Sequence, residues 1–290
     1  MLRQTCSWVT SPLAVGLLLK ACGNADPAYD KFIQLSKQLT KKDGNTINSK
    51  IFVSSSSEET TKHGEFDSQR IDFRDSAERN AINDWINEHA LEEMMDSKNT
   101  IFPKDTLIVL MNIHRFKDTW VGHIGGSPSM KVYNSFNYTQ DVKYETRLLE
   151  LPTSGNFKLV LLVPNEMDVL HELFSTLCNE SLEAATNCLQ PMFATTTKLE
   201  APSINICSKI TREQEFIING VTATGQYFGN LKINENEVNI NVLTCLYSTS
   251  EPSTSNETGG KVLISQEQPS FYFALCFKDT PIFIGQYYPS

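Results

Sequence analysis

Apolar residues alternate with polar or smaller ones at Phe271, Phe273, Leu275 and Phe277, and the pattern resumes at Ile282 and Ile284 beyond Lys278-Asp279-Thr280-Pro281. A period of two on either side of a turn predicts a closing pair of strands. Thr106 to Phe116 (TLIVLMNIHRF) is almost continuously apolar, which predicts a strand covered on both faces. Ile47 to Ser54, Met130 to Tyr138, Tyr144 to Leu151, Phe157 to Val163, Lys198 to Cys207 and Val238 to Tyr247 read as further strands, and Ile71-Asp72-Phe73 as a short extended piece. Between Tyr247 and the closing strands lies a Ser/Thr/Gly-rich stretch (STSEPSTSNETGGK) followed by VLISQEQ. It reads as a polar loop that delivers the chain into a buried hairpin, with the upstream chain as its scaffold.

Helical spacing is clearest from Ser76 to Met95, where Ala81, Ile82, Trp85, Ile86, His89 and Leu91 form one apolar stripe. Ser11-Pro12 has the form of an N-cap and first-turn pair, and opens a helix to Cys22 with Leu13, Leu17 and Leu18 on one face. Pro27 to Leu39, Val169 to Leu177 and a short piece from Ile210 to Gly220 are the other expected helices. Helices gather in the first third, and neither a repeat nor a linker interrupts residues 1–290. The expectation is an α+β fold built as a single domain.

Composition narrows the function. With 40% hydrophobic and 20% charged residues the chain reads as globular. A net charge of −9 argues against a nucleic-acid partner. No apolar run is long enough for a membrane span; the run from Val15 to Leu19 imitates a leader peptide but fits a buried helix better. Localisation stays open between an extracellular site and the cytoplasm. The seven cysteines (Cys6, Cys22, Cys178, Cys188, Cys207, Cys245, Cys276) form no C-x-x-C pair, so no metal site is expected and most thiols read as free and buried.

Catalytic patterns are missing as well. Gly125-Gly126-Ser127-Pro128 is a turn rather than a nucleophile elbow. No phosphate-cradling glycine motif follows a strand, and the five histidines lack ligand spacing. His114 and His123 flank Trp120 and read as structural. Glu88, Glu92, Glu93 and Asp96 read as a solvated helix face. Neither catalysis nor a cofactor is expected. Sequons at Asn137, Asn179 and Asn256 are candidate glycosylation sites and a weak vote for secretion.

Five segments in order resemble the serpin family: Ser11-Pro12-Leu13-Ala14-Val15, Phe73 to Ile86, Asn112 to Trp120 (NIHRFKDTW), Tyr144 to Pro164, and the closing Phe283-Ile284-Gly285 with Pro289. The resemblance implies three β-sheets with surrounding helices, and Ser11, Pro12, Asn112, Trp120 and Pro289 as structural signature positions. It also implies a reactive-centre loop that, once cut by a protease, enters the main sheet as a new strand and carries the acylated protease with it. Against that pattern the chain reads as reduced, without the family's first helix and parts of its loop and gate region.

Two registers of the loop are open. In the favoured one Asn256, Glu257, Thr258, Gly259 and Gly260 form the hinge, and Lys261, Val262, Leu263, Ile264 and Ser265 belong to a loop remnant ending at Gln268. Eight extended residues reach roughly 26 Å, too little both to display bait and to insert it. In the other, the hinge begins at Glu237-Val238-Asn239, and Val242, Leu243, Leu246 and Tyr247 stand where small residues are required, so bulk should slow insertion. Both registers argue against an inhibitor. The resemblance of so reduced a chain to the compact serpins of poxviruses implies a non-inhibitory serpin that modulates host defence by binding a host protein, as a monomer. The alternative is an active serine or cysteine protease inhibitor working through Lys261 to Gln268; a third is a reversible, substrate-like inhibitor.

Overall fold

The computed structural model describes residues 6–24, 26–57, 66–90, 102–121, 124–125, 129–132, 136–141, 146–165, 190–192, 199–202, 204–218, 220–234, 236–250 and 270–288. Strand β1 (Trp8–Thr10) leads into helix α1 (Pro12–Ala21) and helix α2 (Ala28–Leu39). Ser11 caps α1 as expected, its hydroxyl accepting the Ala14 N–H at 3.1 Å. Strands β2 (Asn45–Ser54) and β3 (Asp67–Ile71) follow, then helix α3 (Ser76–His89) and the long strand β4 (Thr106–Thr119). The helix expected as far as Met95 has ended by Ala90, whose backbone is extended, and residues 91–101 are outside the described set.

Short strands β5 (Ile124–Gly125) and β6 (Ser129–Val132) precede β7 (Phe136–Asp141), β8 (Thr146–Pro152) and β9 (Phe157–Pro164). Then come β10 (Gln190–Met192), β11 (Leu199–Pro202), β12 (Ile204–Ile218), β13 (Val221–Ile233) and β14 (Glu237–Thr249). Strands β15 (Phe271–Phe277) and β16 (Thr280–Tyr287) close the chain. They turn through Lys278 and Asp279, both at positive φ, as a tight two-residue hairpin requires. The expected helix at 169–177 lies outside the described residues.

Three sequence expectations need correction. Residues 210–218 are strand and Gly220 is turn, not helix. The β-branched Ile210, Thr211, Ile217 and Ile218 favour extended backbone, and Gly220 at φ +79° turns the chain straight back into β13. Met130 to Tyr138 is two strands in different sheets, and Lys198 to Cys207 divides likewise between β11 and β12. Strand β13 is a further element, hidden in the sequence by its small and polar residues and decided by two long neighbours.

Three sheets result. One has the order β12-β13-β14-β4-β2-β3, antiparallel except for the β2–β3 pair. A second has the order β1-β16-β15-β9-β8-β7-β10, and a third the order β11-β6-β5. The principal core lies between the first two, with Phe116, Val242 and Ile240 meeting Leu159, Phe273 and Phe283. On the opposite face of the six-stranded sheet, Ile82 and Ile86 of α3 pack over Phe52, Val109, Met111, Leu243 and Cys245. The seven-stranded sheet reaches the six-stranded one through β1. Gly229 must be a glycine there, since a Cβ would stand 2.3 Å from Val9 Cγ1 and 2.5 Å from its carbonyl oxygen.

Candidate functional site: the central strand and its closed end

The segment of the second register, from Glu237 onward, is β14, and it occupies the middle of the six-stranded sheet. It pairs with β13 from Ala223↔Ser248 to Ile233↔Val238, and with β4 from Glu237↔Thr119 to Ser248↔Ile108. Its side chains alternate between two apolar layers. Val238, Ile240 and Val242 enter the core toward the seven-stranded sheet, while Leu243, Cys245 and Tyr247 lie under α3. Leu246 joins a third cluster with Leu18, Ile51 and Leu110. The bulk expected to hinder a strand here is core material instead, because this strand is covered on both sides. Burying Val238, Ile240, Val242, Leu243 and Leu246 contributes on the order of 10 kcal/mol against an exposed loop.

One end of β14 is held by polar contacts. Residues 234–236 join it to β13, where the Asn234 side-chain oxygen accepts the N–H groups of Asn236 at 2.8 Å and Glu237 at 3.0 Å. This side-chain turn is local, so the hairpin closes without help from distant residues. Trp120 donates its indole N–H to the Asn234 carbonyl at 2.8 Å, and Lys117 meets Glu237 at 3.0 Å.

Next to Trp120, the Asp118 carboxylate accepts four hydrogen bonds. Thr153 Oγ1 and Ser154 Oγ donate at 2.6 Å each, and the N–H groups of Gly155 and Thr119 at 2.8 Å each. Partial burial pushes this carboxyl upward, yet the hydrogen bonds outweigh burial and hold it below the usual carboxylate range. Glycine at 155 leaves room for this arrangement, since a Cβ there would sit 2.6 Å from Asp118 Oδ2 and push the carboxylate aside.

The centre of the sheet is tied to α1 through His114. Its Nδ1 lies 3.0 Å from Ser11 Oγ and its Nε2 3.0 Å from Asn45 Oδ1, and its ring stacks on Phe283. Asn45 Oδ1 can only accept, so Nε2 carries the ring proton and Nδ1 accepts from Ser11 Oγ, which also lies 2.9 Å from the Ile282 carbonyl oxygen. Asn45 Nδ2 has no hydrogen-bond partner among the described residues. Complete burial lowers the His114 pKa to about 3, so the ring is neutral. A serine–histidine–asparagine row looks like a nucleophile relay, but Ser11 and His114 are wholly buried and no substrate reaches them. It is a structural tie among β4, β2, α1 and β16.

Of the signature residues, Ser11 belongs to this tie, Pro12 starts α1, Asn112 donates to Ser49 Oγ at 2.8 Å, and Trp120 grips the turn. Asn137 lies in β7. Pro289, Asn179, Asn256, Glu257, Thr258, Gly259, Gly260, Lys261, Val262, Leu263, Ile264 and Ser265 lie outside the described residues. Asp118, Asn45 and Asn234 escaped the sequence reading. Only Asn234, two residues ahead of another asparagine, carried a local turn signal. No described helix is long and apolar enough to cross a membrane, and no group of metal-ligating side chains occurs among the described residues.

No family model matches the chain. Human Serpin B4 is 30% identical to it over 159 residues, 46% of this chain and 40% of that protein, so the similarity spans well under half of the relative's length. Among solved structures, a cleaved Serpin 42Da superposes with a TM-score of 0.75 at 16% identity, covering 99% of this chain and 93% of the other. The thermophilic serpin tengpin in its latent state gives 0.70 at 14% identity, covering 98% and 92%.

Proposed function

The chain is a member of the serpin family, and from that premise we propose that it is a non-inhibitory serpin whose insertion slot is filled by its own uncut chain. It acts by binding another protein and catalyses nothing itself. The observation that carries this reading is the placement of β14, hydrogen-bonded on both edges and apolar on both faces. A trap of the serpin type draws its work from a strand that has yet to enter the sheet. A strand already paired on both sides has no insertion energy left to spend on a protease.

Chain length supports an uncut inserted state. From Val242 to Thr249 the strand runs about 23 Å, and crossing to the neighbouring sheet adds about 10 Å. The connection from Ser250 to Ser270 spans up to roughly 66 Å when extended, ample to rejoin β15 without a break. The likeness to a serpin described as latent points the same way. The finer attribution, a poxvirus-type modulator that engages a host protein as a monomer, rests on family resemblance.

The test is incubation with a panel of serine and cysteine proteases, followed by denaturing electrophoresis and a melting scan of any nicked product. The expected result is no band at the summed mass and little change in Tm after a cut within residues 251–269. A detergent-stable adduct would restore the inhibitor reading.

A further inference from the structure

Removing β14 from the sheet leaves two outcomes for its neighbours. Either β4 and β13 stay apart, with their inner backbone N–H and C=O groups unpaired in an apolar trench, or they move together and pair. The first is costly because buried backbone groups without partners are strongly disfavoured. The second requires a shift of about 4.8 Å, one strand spacing, by β4 or β13.

Both neighbours are fastened to the seven-stranded sheet. Strand β13 is pinned at Gly229, which packs directly on Val9 of β1, while Ser208 of the adjoining β12 accepts the Val9 N–H at 3.3 Å. Strand β4 is pinned at Asp118, whose carboxylate is gripped by Thr153, Ser154 and Gly155 at the β8–β9 turn. The return bond from Ser154 N–H to the Thr119 carbonyl at 2.9 Å adds to that grip. A shift of one strand spacing by either strand would break the contacts that hold it, which run from 2.6 to 3.3 Å.

We propose that Asp118 is a spacing latch: by fixing β4 to the β8–β9 turn it keeps the gap beside β13 one strand wide and so retains β14 in the sheet. This rests on the reading of β14 as the inserted loop and names what holds it there. Asp118 is a positioning residue and touches no partner. Its grip is built from both sides, since a Cβ at Gly155 would stand 2.6 Å from Asp118 Oδ2 and displace the carboxylate.

The chain carries its own reporters. Cys245 lies buried at the middle of β14, Cys276 lies buried in β15 of the other sheet, and Cys207 is exposed on β12. Burial pushes the Cys245 thiol far up, and that of Cys276 up to about 12, so both are protected while their strands are in place. The experiment is thiol alkylation of the full-length native chain at neutral pH, read per cysteine by peptide mass mapping, in wild type, Asp118→Asn and Ser154→Ala.

The expected result is that Asp118→Asn speeds labelling of Cys245 at least tenfold while Cys276 is unchanged, and that Ser154→Ala gives a smaller rise at Cys245 alone. Equal acceleration of Cys245 and Cys276 would mean general loosening and would overturn the latch. So would unchanged labelling at both. A wild-type chain labelled at Cys245 as fast as at Cys207 would instead sink the inserted-strand reading itself. If Asp118→Asn does not fold, the milder Ser154→Ala comparison, which removes the hydroxyl that bonds Asp118 and Thr119 Oγ1, decides the matter.

Discussion

Leu243 offers a direct measure of where β14 rests. Its side chain is fully buried beneath α3 in the cluster that includes Phe52, Ile82, Val109 and Met111. Leu243→Ala removes roughly three buried carbons, about 2.4 kcal/mol of transfer free energy at about 0.8 kcal/mol each. The cavity left under the helix adds to this, and the expected loss is about 3 to 4 kcal/mol. For a chain of this size that corresponds to a fall in Tm of about 6 to 15 °C. The control is Ile217→Ala on β12, where the side chain is 71% exposed and the expected change is under about 0.5 kcal/mol. Thermal or urea unfolding of the two variants beside wild type provides the assay. If Leu243→Ala melts with Ile217→Ala, the residue is in solvent, β14 is an exposed loop, and the argument from its burial is wrong.

Two further outcomes follow from the core. His114 is held neutral with its pKa lowered to about 3, whereas an unfolded histidine titrates near 6.5. The unfolded chain therefore binds the extra proton between those values, so stability is full above pH 6.5 and falls by up to about 1.4 kcal/mol per pH unit as pH drops toward 3. Urea midpoints at pH 7, 5 and 4 should show this slope, and His114→Gln should flatten it; an unchanged slope in the variant would assign the acid sensitivity elsewhere. Gly229→Ala should destabilise the chain by about 2 kcal/mol or more, because the new Cβ overlaps the Val9 backbone as well as its side chain. A neutral result in a melting scan would mean β1 does not press on β13.

Much of this molecule is written locally. The Ser11 cap, the stripe from Ala81 to Ile86, the apolar run of β4 and the alternation of β15 and β16 each arise from residues within one element, and each formed where its pattern placed it. The five signature segments carried the family for the same reason, since cap, stripe and strand patterns survive when other positions change. Long-range partnership decided the rest. Residues 210–218 are strand because β13 lies alongside, and β13 is strand because it lies between two long neighbours. Apolar spacing predicted a strand near Val238 to Tyr247, but it could not say whether that strand stands free or completes a sheet. That choice belongs to β4, more than a hundred residues earlier, and to the width of the gap that Asp118 and Gly229 hold open from the second sheet. A carboxylate at 118 and a turn at 153–155 have no reason to be read together until the fold brings them within hydrogen-bonding distance.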